Sequence, residues 1–154
     1  ILVVEDEPTL ATQLAEYVVV YSPVQMAADL PENYLAHPDA FQFIKDVPTD
    51  WETTKTLQSE IGDYVVVARQ ERGGQDWYLG AITDEDARTL SQPLSFLAPG
   101  KRYEAQIYAD GADADYRTNP MSYVISRKVV TSADTLPIVM GPGGGLAVRF
   151  RALP

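Results

Sequence analysis

The second two-thirds of the chain is a succession of short apolar segments separated by turn residues, and this pattern limits the fold more than any other feature. About eight segments between residues 57 and 150 are rich in Val, Ile, Leu and Tyr, and Gly, Pro or acidic residues separate them. In Tyr103–Tyr108, apolar and polar side chains alternate, as in a strand with one buried face. Short strands at such regular intervals predict an antiparallel sandwich or barrel.

The first 48 residues instead predict helices. Apolar side chains recur there at spacings of three and four residues, which is typical of one buried helical face: Leu10, Leu14, Tyr17, Val18 and Tyr21. Pro23 should end this helix, because the residue before a proline avoids the helical region. We expect a short apolar strand at Val24–Ala28 and a second helical stretch over Glu32–Ile44, broken at Pro38.

Composition excludes several classes of function. The chain has 154 residues, about one domain, and a net charge of −10. Nucleic acid is excluded as a partner because a phosphate backbone requires a basic face. The absence of cysteine excludes disulfides, thiol catalysis and cysteine–zinc sites. No apolar run approaches the roughly 20 residues of a membrane span.

The first eight residues, ILVVEDEP, resemble the start of a response-regulator receiver domain, in which acids after the first strand hold Mg²⁺ beside a phosphorylated aspartate. The rest of the chain does not continue this pattern. A receiver alternates five strands with five helices, and the strand-rich second half cannot supply them. The best acceptor, Asp46, lies in a predicted helix. The receiver is therefore a remote alternative, and the origin of residues 1–8 stays open.

Several longer strings resemble glycoside hydrolase family 97 in the same order, among them FQFIKDVPTDWETTKTLQSEIGDYVVVARQ and YEAQIYADGADADYRTNP. The resembling segments are Thr9–Tyr34, Phe41–Gln70, Trp77–Leu90, Tyr103–Pro120 and Pro142–Phe150. The resemblance implies bacterial enzymes that remove terminal α-linked glucose or galactose, with a Ca²⁺ in the active site. It also implies an N-terminal β-sandwich, a central (β/α)₈ barrel and a C-terminal all-β domain.

The fold class expected from strands and resemblance together is mainly β. Residues 1–48 would be a remnant of the last β/α units of the glycosidase barrel, and residues 49–154 the C-terminal antiparallel β-sandwich domain. Glycoside hydrolysis needs two carboxylates that flank the scissile bond. The resemblance places these, and the Ca²⁺ ligands, upstream of this chain. We therefore expect no catalytic residue, no metal and no cofactor in this chain, with Ca²⁺ in the parent enzyme.

A few residues are candidates for a contact with substrate in that parent. Asp29 ends the expected last barrel strand, where the active sites of such barrels lie, and Glu32 and Asn33 follow in the same loop. These three residues could form the rim of a sugar pocket, but capping of the next helix is the stronger interpretation for Asp29. The acids of Asp110–Asp115 have oxygen-ligand chemistry, but their spacing is not that of an EF-hand, and turn roles are the stronger interpretation.

The predicted function is that of an accessory domain, not catalytic by itself, that completes the packing of the barrel and supports oligomerisation. Its partners would be the catalytic barrel and a further copy of the protein, and the parent's substrate would be an α-linked oligosaccharide. The alternative is a carbohydrate-binding module with its own sugar site, which needs an exposed row of aromatic rings. Trp51, Trp77, Tyr78 and Tyr108 fit a core better. By resemblance we expect a periplasmic or extracellular location. Without most of the barrel, we also expect residues 1–40 to be loosely held or to drive self-association, while residues from about 50 to 154 fold stably.

Overall fold

The structure, a computed structural model, describes residues 8–26 and 31–154. Within these residues three helices precede eight strands. The helices are α1 (Leu10–Val19), α2 (Pro31–Ala36) and α3 (Pro38–Asp46). The strands are β1 (Trp51–Glu60), β2 (Tyr64–Glu71), β3 (Trp77–Thr83), β4 (Arg88–Pro93), β5 (Arg102–Asp110), β6 (Tyr123–Thr131), β7 (Thr135–Met140) and β8 (Gly145–Ala152).

The strands form two antiparallel sheets. The larger sheet has six strands in the order β1-β2-β3-β8-β5-β6, and the smaller one pairs β4 with β7. The expectation of a mainly β, antiparallel fold is confirmed. A receiver is ruled out, because its sheet is parallel and requires a crossover after each strand.

The main core lies between the two sheets. In β5, the side chains of Tyr103, Ala105 and Ile107 enter this core, and the alternation seen in the sequence is therefore real. The small sheet covers them with the inward side chains of β7, which are Leu136, Ile138 and Met140.

The opposite face of the large sheet carries the helices. Leu14 and Val18 of α1 and Phe43 of α3 are each at most 1% exposed, and they pack on Tyr78 and Tyr108 of the sheet. The chain thus has three layers: helices, a large sheet and a small sheet. Helices α1 and α3 are well packed on the sheet, and the expectation that residues 1–40 are loosely held or drive self-association stays a prediction.

Some boundaries differ from the sequence expectations. Helix α1 ends at Val19 rather than near Ser22, because Val20 already has an extended backbone. The break at Pro38 is confirmed, since this residue begins α3. The stretch Val24–Met26 is not a strand, and residues 27–30 lie outside the described part. Strand β1 starts at Trp51, earlier than expected, because its polar first half carries no apolar signal.

The two outer strands of the large sheet differ from its inner ones. Strand β1 pairs with β2 through a register that shifts twice, between Trp51 and Thr53 and between Thr56 and Gln58. Strand β6 carries Arg127 and Lys128, both exposed, at its centre. Irregular pairing and charge are two devices by which natural sheets protect their edges.

Candidate functional site

The candidate functional site is the junction between the helical layer and the large sheet. At the N-terminal end of α1, the hydroxyl of Thr9 accepts a hydrogen bond from the backbone N–H of Thr12 and so caps the helix. The same hydroxyl donates to Asp110 Oδ1 over 2.7 Å. Asp110 Oδ2 accepts the backbone N–H groups of Gly141 and Gly145, each at 2.9 Å. One carboxylate therefore joins α1, β5 and the β7–β8 turn.

The environment of Asp110 perturbs its ionisation. Burial raises the pKa of this carboxyl, and the hydrogen bonds from Thr9, Gly141 and Gly145 oppose that rise only in part. Within the same junction, Thr12 Oγ1 donates to the carbonyl of Gly143 over 3.0 Å. The backbone N–H of Leu10 donates to the carbonyl of Pro120. The N-terminal end of α1 is thus fixed to the loops of the β domain by backbone and side-chain bonds.

Arg69 of β2 holds the other end of α1. Its Nε donates to the carbonyl of Val18 over 2.5 Å and its Nη2 donates to that of Val19 over 3.2 Å. The residue is only 6% exposed, and its guanidinium lies 5.8 Å from the ring centre of Trp51. Burial lowers the pKa of Arg69, although a guanidinium stays protonated in proteins.

The charged groups that hold the two ends of α1 match the polarity of the helix. The N-terminus of a helix carries partial positive charge and its C-terminus partial negative charge. The carboxylate of Asp110 lies at the first end and the guanidinium of Arg69 at the second, and the β domain supplies both. We call this pair, with Thr9, the helix clamp.

Two glycines let α1 approach the sheet closely. A Cβ atom at Gly80 of β3 would lie 2.6 Å from the carbonyl oxygen of Ala15. A Cβ atom at Gly145 of β8 would lie 2.7 Å from the Cα atom of Thr12. Side chains at these positions would therefore separate helix and sheet.

Helix α3 is attached beside α1 by an ion-pair group. Arg149 of β8 lies 2.8 Å from Asp46 at the end of α3 and 3.1 Å from Asp76. The hydroxyl of Tyr78 donates to the carbonyl of Asp46 over 2.9 Å, and burial raises the pKa of this phenol. Burial also raises the pKa of Tyr108 to about 12. All of these groups bind protein atoms, which marks the cluster as structural.

The outer side of the helical layer leaves several large apolar side chains in solvent. They cluster in sequence around the end of α1 and in α2, and each is more than half exposed: Val20, Tyr21, Val24, Met26 and Leu35. Single exposed apolar residues are ordinary, and a cluster of them in sequence makes this segment a candidate for contact with another protein segment.

Two of the three substrate-rim candidates lie in α2, which also carries Leu35. Asp29 is outside the described residues. Glu32 and Asn33 are exposed in the first turn of α2, which contains no buried residue. Their role at a sugar pocket stays a prediction.

The acids of the 110–115 loop do not converge on one point. Asp113 accepts from Ser122 and Asn119, and Asp115 accepts the backbone N–H of Arg117, while Asp110 points into the helix clamp. In residues 8–26 and 31–154, no three His, Asp or Glu side chains are placed to hold a metal ion. The oxygen chemistry of this loop therefore serves its own turns.

The aromatic residues that could have stacked on sugar rings belong to the two cores. Trp51, Trp77, Tyr78 and Tyr108 are each at most 7% exposed. Trp77 lies between the sheets, while the other three lie under the helices. These four rings cannot form the exposed platform that a carbohydrate-binding module needs.

An antiparallel sandwich that holds two helices on the outer face of its large sheet is typical of an accessory β domain. The chain belongs to glycoside hydrolase family 97. Its residues 50–151 match the family model described as "Glycosyl-hydrolase 97 C-terminal, oligomerisation". The family resemblance and the accessory β-domain prediction are confirmed.

Several known proteins are similar to this chain over nearly its whole length. A retaining alpha-galactosidase of Bacteroides thetaiotaomicron is 37% identical over 93% of the chain and 21% of its own length. A family 97 enzyme from Pseudoalteromonas sp. strain K8, solved in complex with acarbose, is 53% identical with a TM-score of 0.93, over 96% of this chain and 23% of that one. A solved beta-arabinopyranosidase is 27% identical with a TM-score of 0.74, over 92% of this chain and 21% of that one. The chain thus spans about a fifth of the length of these relatives.

Sequence reasoning did not find the helix clamp. Arg69 lies in an apolar strand, YVVVARQ, and a lone arginine there suggests only an exposed position. Its partners are 50 and 51 residues away, and Asp110 is 101 residues from Thr9. No local pattern signals contacts at such separations.

Proposed function

We propose that this chain is the C-terminal, non-catalytic part of an enzyme that removes terminal α-linked galactosyl or glucosyl residues. Its β domain packs against the catalytic barrel and supports contacts between subunits. The observation that carries the proposal is the match of residues 50–151 to a C-terminal oligomerisation domain of family 97.

The similar proteins support the substrate class. The Bacteroides relative is a retaining alpha-galactosidase, and the Pseudoalteromonas relative was solved with acarbose. Both names support a glycoside as the substrate of the parent enzyme, and the proposal includes galactosides and glucosides. Because the chain spans about a fifth of these relatives, the substrate would bind to the parent enzyme rather than to the β domain.

The chemistry of the described residues supports a non-catalytic role. Glycosidases use two carboxyl groups about 5–10 Å apart across an open sugar site. Here the half-buried acids Asp46, Asp76 and Asp110 are held by arginine or by backbone N–H groups inside the junction. We place the catalytic carboxylates in the preceding part of the parent polypeptide.

The Ca²⁺ of the parent enzyme would be bound in that preceding part as well. The described residues do not fit such a site, since no three oxygen-bearing acids converge. The exposed apolar side chains around Tyr21 and Leu35 support a contact between the helical layer and the barrel, where burial of each would contribute roughly 1.5–3 kcal/mol.

The location proposed for the parent enzyme is the periplasm or the extracellular space, on the family resemblance alone. None of the helices in residues 8–26 and 31–154 is long and apolar enough to cross a membrane. Fractionation of cells that express the full gene would check the location.

An activity comparison tests the proposed function. The purified chain and the full-length parent enzyme are incubated with aryl α-galactoside and aryl α-glucoside. We expect turnover of at least one substrate by the parent and none by the chain. Turnover by the chain that survives repeated purification would overturn the non-catalytic assignment, and an inactive parent would overturn the glycosidase assignment.

A further inference from the structure

Among the described residues, the β1–β2 hairpin end of the large sheet is uncovered on the helix-bearing face. Helix α1 lies over β3 and β8, where Gly80 and Gly145 admit it, and α3 lies beside it over Tyr78 and Tyr108. The C-terminal end of α1 reaches β2, where Val67 and Arg69 are only 5% and 6% exposed. Closer to the hairpin, Ser59 and Ile61 are exposed.

This hairpin end contains a cleft whose accessible surface is mostly apolar, with acids at its margin. The cleft has a volume of about 420 Å³ and lies at the β1–β2 hairpin, against the end of β3. The register pairs Val65 with both Ser59 and Ile82, so these three side chains share the helix-bearing face. Ile82 also contacts the helical core. We call this concave surface, with the hairpin tip at 60–63, the hairpin cleft.

The tip of the hairpin presents an isoleucine to solvent. Gly62 turns the chain with a φ of 91°, a conformation that favours glycine. Ile61 beside it is 101% exposed. A fully exposed Ile beside an apolar cleft is unfavourable unless another surface covers both.

We propose that the hairpin cleft is the seat of the helix that precedes α1 in the parent polypeptide. This inference rests on the proposed function. In a (β/α)₈ barrel the helices form an outer ring in chain order. Helix α3 follows α1 and lies on its β5–β8 side, and the preceding helix therefore falls on the opposite side, at the β1–β2 hairpin.

The relatives are long enough to contain that helix. The chain covers 21–23% of them and matches the C-terminal domain, so most of the polypeptide lies before α1. The occupant would present an apolar stripe to Val65 and Ile82 and would bury Ile61. The hairpin would then reach past α1 and hold three successive barrel helices on one sheet.

Cysteine accessibility tests the cleft directly, because the chain has no cysteine of its own. Ser59→Cys, within the cleft, and Ile61→Cys, at its tip, replace exposed side chains. Val139→Cys is the control, since this residue is 57% exposed on the outward side of β7, away from the helices. Each variant is made in the isolated chain and in the full-length parent, and maleimide labelling at that position is followed by mass spectrometry.

We expect all three thiols to react rapidly in the isolated chain. In the parent, Ser59→Cys and Ile61→Cys should react at least about tenfold more slowly, because a covered site must open first, while Val139→Cys should be unchanged. Equal rates at the cleft in both proteins would overturn the proposal. Protection in the isolated chain that grows with concentration would assign the cleft to a second copy instead, and would also overturn it.

The activity of the parent separates this inference from the proposed function. A parent that hydrolyses an aryl glycoside while both cleft thiols stay fully reactive refutes the cleft assignment and leaves the glycosidase proposal standing. A parent without glycosidase activity refutes the proposed function whatever the labelling shows.

Discussion

Replacement of Gly80 by alanine tests how α1 is seated on the sheet. The added Cβ atom would lie 2.6 Å from the carbonyl oxygen of Ala15 and 3.0 Å from Val18 Cβ. Because Cβ atoms essentially never approach other heavy atoms closer than 3.0 Å, the gap must widen by at least 0.4 Å (3.0 minus 2.6). The nearest atom is backbone, so the whole helix has to move.

Two opposing effects set the magnitude. Alanine restricts the unfolded chain more than glycine does, which favours the folded state by about 0.4–1 kcal/mol. Overpacking in a filled core costs about 1–3 kcal/mol, and a gap of about 0.5 Å opened around Leu14 and Val18 would lose about a quarter of their dispersion attraction. We expect a net loss of about 1–2 kcal/mol in the free energy of unfolding, or about 2–8 °C in Tm.

Urea denaturation of the wild type, Gly80→Ala and a matched control measures this difference. The control is Gly74→Ala, whose Cβ would meet only the flexible end of the Glu71 side chain. It should be neutral or slightly stabilising. If Gly80→Ala is as stable as the wild type and as Gly74→Ala, the close seating of α1 is not a constraint and the argument fails.

The helix clamp and the carboxylate of Asp84 give three further predictions. Arg69→Met should lower the free energy of unfolding by about 2 kcal/mol, since hydrogen bonds from a charged group contribute about 1.5–3 kcal/mol. Chymotrypsin should then cut near Tyr21 faster in this variant than in the wild type, and the cleavage rate of Arg69→Lys should lie between the two. An unchanged cleavage rate in Arg69→Met would argue against the clamp. Burial raises the pKa of Asp110, so its contribution to stability grows as the pH falls through the folded-state pKa towards 3.8. The amide of Asp110→Asn does not titrate, so the stability of the wild type relative to this variant should rise as the pH falls over that range, as measured in paired thermal melts. A stability difference that stays constant with pH would contradict the raised pKa. The N–H of Asp86 and the guanidinium of Arg88 lower the pKa of Asp84. This carboxylate therefore contributes to stability above pH 3.8, and the contribution is lost as the pH falls through the folded-state pKa. Asp84→Asn should therefore show the opposite trend, with the wild type losing its advantage in acid, and a trend of the same sign as that of Asp110 would refute the assignment.

The predictable parts of the fold are those with local signals. Strand β3, Trp77–Thr83, is one of the apolar segments that the sequence indicates, because a run of apolar and β-branched residues lies between two polar turns. The first half of β1 was missed because an edge strand needs little apolar surface, and its residues there are mostly Thr, Glu and Lys. The break at Pro38 followed from proline geometry alone.

The seating of α1 could not be predicted in the same way. Its apolar residues correctly indicated burial, but the sequence does not say which surface buries them. We expected the missing barrel to be that surface, whereas the sheet covers Leu14 and Val18 completely. Gly80 and Gly145 gave no sequence signal, because a glycine in a strand indicates close approach only once its neighbour is known.

The edges of the large sheet limit the symmetry of any assembly that this domain forms. An open, regular strand edge lets copies add one after another, and such growth has no natural end. The register shifts of β1 and the central Arg127–Lys128 pair of β6 oppose addition at both edges. Copies of this domain that associate would therefore meet through faces and loops, where a twofold contact is complete with two copies. Such a contact would not seed a filament.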